Sequence, residues 1–548
     1  MLSAGDYSVR KSYLFVVVIL YLLAGIFLLR FFRYWINPDA TSYISIAEKY
    51  IRGDVWHAVN AFWGPLVSWL LMPFIAFGAS PALGAKMLSL CIGVFAIASI
   101  HCLSRRFEIS DSQRLLSLLF LLPTFLFFTL YDFTPDLLLA SFLAFYLYVL
   151  LDRDYPRSAR QGAACGIFAA LAYLSKAYAL PFFVLHFALC NAFVYIKGDR
   201  QKRRLVLRSC LLGYAVAIAI SGIWIGCFSA KYGRFIFCSA GKYNHERLGF
   251  AERGLPPIYK RFLVPPNETA THAWEDPNYI RLKSWSPLQS VQAFKYQIGM
   301  VRSAIVLSIM AYNWFSLFSI AILAVMLVSL CTQAGESMVA QRTDLFSMLA
   351  IGIYSCGFLP LGIVQERYML ICDFLLVLLG VQLIAAAQRG KHLSEKRKAA
   401  ILVLLLISFC VMPARALKKH ANEGRSSYLM SVRLTDECHI KGDIVSNANY
   451  ADMLQVAFWT GNRYFGILDD SIPEPQLLDT LRTHNIAYYF LWSASDTALS
   501  LPGYVESTLS GVPDLRIYAI QAPNPPAPLL IGHHRSPGRL YPRRLRTH

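Results

Sequence analysis

The chain has 548 residues, 56% of them hydrophobic and only 16% charged, with a formal net charge of +19. So apolar a balance excludes a string of ordinary soluble domains, because the apolar residues fall in blocks of roughly 16 to 22, about what a helix needs to cross a hydrocarbon core. The positive charge does not point to nucleic acid: Lys and Arg sit in short runs between the apolar blocks and at the C-terminus, the pattern that orients a chain in a bilayer.

Arg10 and Lys11 precede an apolar stretch from Tyr13 to Leu29 with no small-residue cleavage site after it, so this reads as a retained first span. Further spans are predicted near 83–103, 115–131, 136–151, 163–176, 178–196, 209–228, 303–330, 345–363, 368–387 and 399–414, about eleven with the first at 13–31. With a cytoplasmic N-terminus, the short inner loops hold runs such as Arg105, Arg106 and Arg114, or Arg200 to Arg208, while the short outer turns hold only Lys176 and Arg367. That asymmetry sets the orientation and leaves the C-terminal region outside. The cysteines lie mostly within apolar blocks, where Cys acts as a small hydrophobe.

Three larger outer segments result: 32–82, 229–302 and the chain after about 415. The first carries Asn37-Pro38-Asp39 and then apolar residues at helical spacing, Tyr43, Ile44, Ala47, Tyr50 and Ile51, closed by Gly53. A helix along the membrane surface is predicted there. Phe62 to Phe77, with Trp63, Gly64-Pro65 and Trp69, is too short to span and reads as a second interfacial helix. Asp39 is then either a helix N-cap or a catalytic carboxylate, at even odds on this local pattern.

The next outer turn is Tyr131-Asp132-Phe133-Thr134-Pro135-Asp136. Thr134-Pro135-Asp136 is a good helix start, which favours Asp136 as a cap and leaves Asp132 as the functional candidate. Lys176, in Ser175-Lys176-Ala177-Tyr178, is alone between two spans: it either snorkels or binds a lipid phosphate. In the long outer loop, His245 and Glu246 are candidate metal ligands, although adjacent residues form no recognised ligand spacing. Trp274-Glu275-Asp276-Pro277 and the sequon Asn267-Glu268-Thr269 follow. Gln365-Glu366-Arg367-Tyr368 makes the last minimal outer turn, where Arg367 is suited to phosphate and Glu366 to a solvated pair with it.

Beyond 414, strands are predicted at 443–447, 463–467 and 486–492, with helices at 450–459 and 474–484 between them: a small α/β domain over 415–521. Residues 522–548 are rich in Pro and Arg, a composition that predicts disorder. No P-loop, dinucleotide fingerprint or Gly-x-Ser-x-Gly elbow occurs, so cytosolic nucleotide chemistry has no motif to rest on.

The order of these parts resembles the GT-C superfamily of membrane glycosyltransferases, in particular the bacterial branch related to protein O-mannosyltransferases and lipid A aminoarabinose transferases. The matching pieces are Asn37-Pro38-Asp39, Trp63-Gly64-Pro65-Leu66, Thr134-Pro135-Asp136, Ser175-Lys176-Ala177 and Glu366-Arg367-Tyr368, over about residues 10–390. The resemblance implies an all-α polytopic membrane fold over 1–414 with the extracytoplasmic α/β domain attached. It also implies hexosyl or pentosyl transfer from a polyprenyl-phosphate-linked sugar to a hydroxyl of a glycan, lipid or protein at the outer face. Asp39 would then be the general base, Lys176 and Arg367 the donor-phosphate ligands, and Asp132, Asp136, Glu48, His57, Glu366 and Tyr368 the residues that orient sugar or acceptor. Relatives with two adjacent acidic residues in the first loop differ here, since Ala40 follows Asp39; no cofactor is called for, and a divalent metal is left open. The competing readings are a transporter or flippase of lipid-linked sugars, which predicts charges at mid-membrane and internal repeats, and an inactive scaffold.

Overall fold

The computed structural model describes residues 4–332, 338–389, 394–469, 471–493, 499, 501–508 and 514–520. The 522–548 tail lies outside them.

Helices α1 (Ala4–Phe32), α5 (Pro81–Ser104), α10 (Ala179–Lys197), α11 (Arg200–Lys231), α16 (Leu370–Arg389) and α17 (Glu395–Lys419) are long unbroken apolar rods. Among the described residues nine helices are long and apolar enough to cross a membrane, and the protein is an integral membrane protein. Between α1 and α5 come α2 (Pro38–Ile51), α3 (Val55–Ala58) and α4 (Leu66–Ala76). The 115–131 span is a kinked pair, α6 (Asp111–Phe120) and α7 (Leu122–Leu130), with Pro123 at the start of the second piece, where its missing N–H costs no helix bond. Two further predicted spans are shorter helices, α8 (Asp136–Leu150) and α9 (Ala159–Ser175). Helices α9 and α11 cross closely on small residues: a Cβ on Gly162 would lie 1.9 Å from the Ser209 carbonyl oxygen, and one on Gly166 2.3 Å from that of Gly213.

The loop after α11 holds α12 (Ala240–Arg247). After it the structure departs from the single predicted span over 303–330: α13 (Val291–Phe315) and α14 (Ser319–Thr332) are separate helices. The chain breaks at Ser316, where the hydroxyl meets that of Ser408 at 2.5 Å and accepts the Phe318 N–H at 3.1 Å, so the freed polar groups find partners inside the protein. The mostly apolar sequence over 303–330 contains neither Pro nor Gly to mark that break. Helix α15 (Met338–Cys356) follows.

The C-terminal part opens with α18 (Arg425–Asp436), and then β1 (Ile444–Ser446), α19 (Tyr450–Thr460), β2 (Tyr464–Ile467), α20 (Glu474–Thr483), β3 (Tyr488–Trp492), β4 (Tyr504–Thr508) and β5 (Leu515–Ile520). The three predicted strands and two predicted helices are present; α18, β4 and β5 are additions. The sheet order is β2-β1-β3-β5-β4, parallel across the first three strands and antiparallel beyond. Its β2 edge is closed by the loop between α12 and α13: Leu263 N–H donates to Phe465 O at 2.7 Å and Tyr464 N–H to Thr271 O at 2.7 Å.

That closure changes the setting of α2. One-sided exposure is expected of a surface helix, yet every residue from Ala40 to Ala47 is buried. Helix α4 supports it from one side, and residues 273–275 and α19 cover the rest. By contrast α4 leaves Trp69, Leu70 and Phe77 exposed, as an interfacial helix would.

Candidate active site

Asn37, not Asp39, caps α2: its side-chain oxygen accepts the Ala40 N–H at 2.6 Å, and Pro38 opens the helix. Asp39 therefore sits in the first turn with its carboxylate free for other partners. One oxygen accepts the Arg367 guanidinium at 2.8 Å and the other the Trp274 indole N–H at 3.1 Å. Arg367 also lies 3.8 Å from Asp136, and Asp136 accepts the Lys176 ammonium at 2.5 Å. The outcome is an alternating chain, Asp39, Arg367, Asp136, Lys176, drawn from four separate segments. Tyr368 closes its far end, with the Lys176 ammonium 3.7 Å above its ring.

Local structure explains the placement. Helix α9 stops at Ser175, and the extended backbone of Lys176 turns its side chain out of the helix. The turn at Trp63-Gly64-Pro65 is pressed against that stop: a Cβ on Gly64 would lie 2.3 Å from Ser175 O and 2.4 Å from Leu174 O. Only glycine allows the approach. Asn60 holds the same turn, accepting the N–H groups of Phe62 at 2.8 Å and Trp63 at 3.1 Å. Asp136, expected as a cap, makes no capping bond; its carboxylate serves the two cations instead. Lys176 does not snorkel, because a buried carboxylate holds it.

Asp132 accepts the Asn37 side-chain amide at 3.1 Å and shares with Asp39, Glu366 and Arg367 a cleft of about 570 Å³. Its opposite wall is Phe127, Phe128, Tyr131, Trp314, Lys419 and His420. Burial by itself would raise the Asp39 carboxyl, but the Arg367 charge, the bonds from Trp274 and Arg367 and the nearby Lys176 outweigh it and hold Asp39 below its usual range. For Asp132 burial prevails: its carboxyl is pushed up, Asp39 and Asp136 adding to the effect and Arg367 and the Asn37 bond opposing it.

Four predicted residues belong neither to the cleft nor to the charge chain beside it. Glu48 is nine residues beyond Asp39, and at about 100° per residue that turns it to the opposite face of α2, where it pairs with Arg52 at 3.1 Å. His57 is exposed and bound to Asp54 at 2.8 Å. His245 is stacked on Trp285 and bonded to Gln297 at 2.8 Å, whereas Glu246 takes the Ser284 hydroxyl at 2.6 Å, so the two neighbours serve different partners. Among the described residues no three His, Cys, Asp or Glu side chains gather in a geometry for a metal ion.

A family model described as dolichyl-phosphate-mannose-protein mannosyltransferase matches residues 63–225. Among solved structures, ArnT from Cupriavidus metallidurans bound to undecaprenyl phosphate is 14% identical, with 94% of this chain and 98% of that one covered at a TM-score of 0.53. The chain has the GT-C fold. The Archaeoglobus fulgidus oligosaccharyltransferase in complex with Zn and sulfate is 13% identical, with 93% of this chain and 73% of that one covered and a TM-score of 0.52. No curated protein matches the chain.

Within this GT-C fold the structure gives roles to residues that the sequence singles out without a function or does not single out at all. Trp274-Glu275-Asp276 pins the loop between α12 and α13 by three consecutive side chains: Trp274 on Asp39, Glu275 in a buried ion pair with Lys49, and Asp276 on Lys231 at 3.1 Å and Tyr232 at 2.6 Å. Acidic residues beside a Trp in a long outer loop were the available signal. Across the cleft, Tyr131 stacks on Trp35 and donates to Glu423 at 3.0 Å, and Glu423 also binds His420. The buried Lys86 ammonium caps the end of α7 by donating to Leu130 O at 2.6 Å, directly before the Asp132 turn. Asp373, in the first turn of α16, is fully buried, and neither of its carboxylate oxygens has a hydrogen-bond partner among the described residues.

Proposed function

We propose that this protein transfers a sugar from a polyprenyl-phosphate donor to an acceptor hydroxyl at the outer face of the membrane, with residues 1–414 as the catalytic module and 415–521 as an extracytoplasmic domain covering it. The observation that carries the reading is the alternating Asp39, Arg367, Asp136, Lys176 chain at the edge of a cleft between helix ends. Two cations held at the margin of an apolar bundle suit a phosphate on a lipid tail. Undecaprenyl phosphate is the ligand of the Cupriavidus structure, and this supports the same chemistry here.

In this reading Arg367 exchanges Asp39 for the donor phosphate. The carboxylate is a weak proton acceptor while paired, since the guanidinium depresses its basicity. Removing that partner raises the basicity just when an acceptor hydroxyl must lose its proton. The hydroxyl oxygen attacks the anomeric carbon, the bond to the phosphate oxygen breaks, and the proton passes to Asp39. Arg367 and Lys176 meet the charge that develops on the leaving lipid phosphate. Trp274 keeps hold of the other Asp39 oxygen and fixes its aim.

The test is incubation of the purified protein with a panel of polyprenyl-phosphate sugars and a mixture of hydroxyl-bearing glycan, lipid and peptide acceptors, and detection of free lipid phosphate. Release with at least one donor is expected, lost in Arg367→Ala and Lys176→Ala. Donor affinity unchanged in both variants would remove the phosphate role.

A further inference from the structure

At the end of the bundle opposite the Asp39 cleft, the ends of α5, α6 and α8 surround a second cavity of about 460 Å³. Arg105, Arg106, Arg114, Ser110, Asp111 and Tyr148 line it. Two of the guanidiniums are fixed. Arg106 donates to Tyr148 O at 2.8 Å, binds Asp152 at 2.8 Å and lies 4.1 Å from the centre of the Tyr148 ring. Arg114 bonds Asp111 and the carbonyl oxygen of Ile109 at 3.3 Å. Arg105 is exposed, and its guanidinium makes no hydrogen bond or ion pair among the described residues.

We propose that this cavity binds a phosphate-bearing anion, with Arg105 as the mobile arm and Arg106 and Arg114 as the preset floor. Basic residues on this face would orient the chain wherever they lay along it. Orientation does not require three guanidiniums around one cavity, two of them held by backbone carbonyls and carboxylates. Among the described residues the surrounding network keeps cations in excess: Arg153, Arg157, Arg342 and Arg389 join the three, against Glu108, Asp111, Asp152, Asp154 and Asp344. The space equals that of about 15 liquid waters, enough for a phosphate with a small polar head. Planar guanidiniums match phosphate oxygens in pairs, and basic pockets between helices on the cytoplasmic side suit anionic lipid heads. The anion is either a lipid headgroup of that leaflet or free phosphate. This inference is independent of the transferase reading.

The test is thermal unfolding of the full-length protein in detergent, titrated separately with phosphatidylglycerol, phosphatidylcholine and inorganic phosphate, for wild type, Arg105→Glu and Arg204→Glu. Arg204 is an exposed basic residue at the start of α11 and reports bulk surface charge. Stabilisation by phosphatidylglycerol but not phosphatidylcholine, weakened at least fivefold in apparent affinity by Arg105→Glu and not by Arg204→Glu, is expected for a lipid source. The same pattern with inorganic phosphate alone assigns the site to a soluble anion. Equal response to both lipids without a phosphate effect, or equal loss in the two variants, overturns the site.

Discussion

Replacing Asp39 by Asn keeps the shape of the side chain and removes its charge. The Asp39–Arg367 contact is 2.8 Å long, and the two side chains are 20% and 15% exposed. At about 4 Å between charge centres and an effective dielectric of about 20, the attraction is ~4 kcal/mol; partial exposure to solvent reduces this to about 2. Asn retains a neutral hydrogen bond to Arg367, so roughly 1 to 1.5 kcal/mol of the hold on the guanidinium disappears, and a donor phosphate should bind about five- to tenfold more tightly. Turnover should fall by about 10² or more, since the proton acceptor is gone. The assay pairs equilibrium binding of polyprenyl phosphate with single-turnover release of lipid phosphate. Opposite movements of affinity and rate are the signature. Unchanged affinity refutes the exchange of partners on Arg367, and turnover within about threefold of wild type removes Asp39 as the base, threefold being well under the effect expected of general base catalysis.

Three further outcomes follow from the same contacts. Lys49→Met leaves Glu275 buried without its partner and should cost about 3 to 5 kcal/mol in unfolding measurements, whereas Lys49→Met with Glu275→Leu should recover most of that; a double variant as unstable as the single one contradicts the pairing. Gly64→Ala drives a methyl into the carbonyls that end α9 and should weaken donor binding by displacing Lys176, with the helix content of the membrane bundle kept. Burial, helped by Lys49 and opposed by Asp39, lowers the His272 imidazole to about 3. The unfolded chain then binds a proton that the folded one refuses, so stability should fall by about 1.4 kcal/mol per pH unit below an unfolded value near 6.5. His272→Gln should flatten the unfolding profile between about pH 6 and 4.5, below which Asp39 begins to lose its own contribution as it protonates. An unchanged slope would exclude His272 as the source.

Much of the bundle is legible in the sequence because the solvent imposes a local rule. A stretch that crosses a bilayer must be apolar over its whole length, so Tyr13 to Phe32 or Leu370 to Arg389 can be read without knowing any neighbour. The same rule exposes Asp39, Asp132, Lys176 and Arg367, since a charge beside an apolar block is costly and carries its own signal. The break at Ser316 escapes notice because its partner is Ser408, on another helix. Glu48 and His57 were candidates only through what the resemblance implied, and helix geometry turned Glu48 away.

The sequence by itself determined that the chain spans a membrane, where most of its turns fall, and which of those turns carry charge. Only the tertiary structure decided what those charges do. Asp39 meets Arg367 328 residues further on and Trp274 235 residues further on, and Asp136 meets Lys176 at a distance of 40. Apolarity is a property of each segment facing lipid, whereas a hydrogen bond requires two particular atoms within about 3 Å. That second condition is set by how the helices pack, and no single segment contains it.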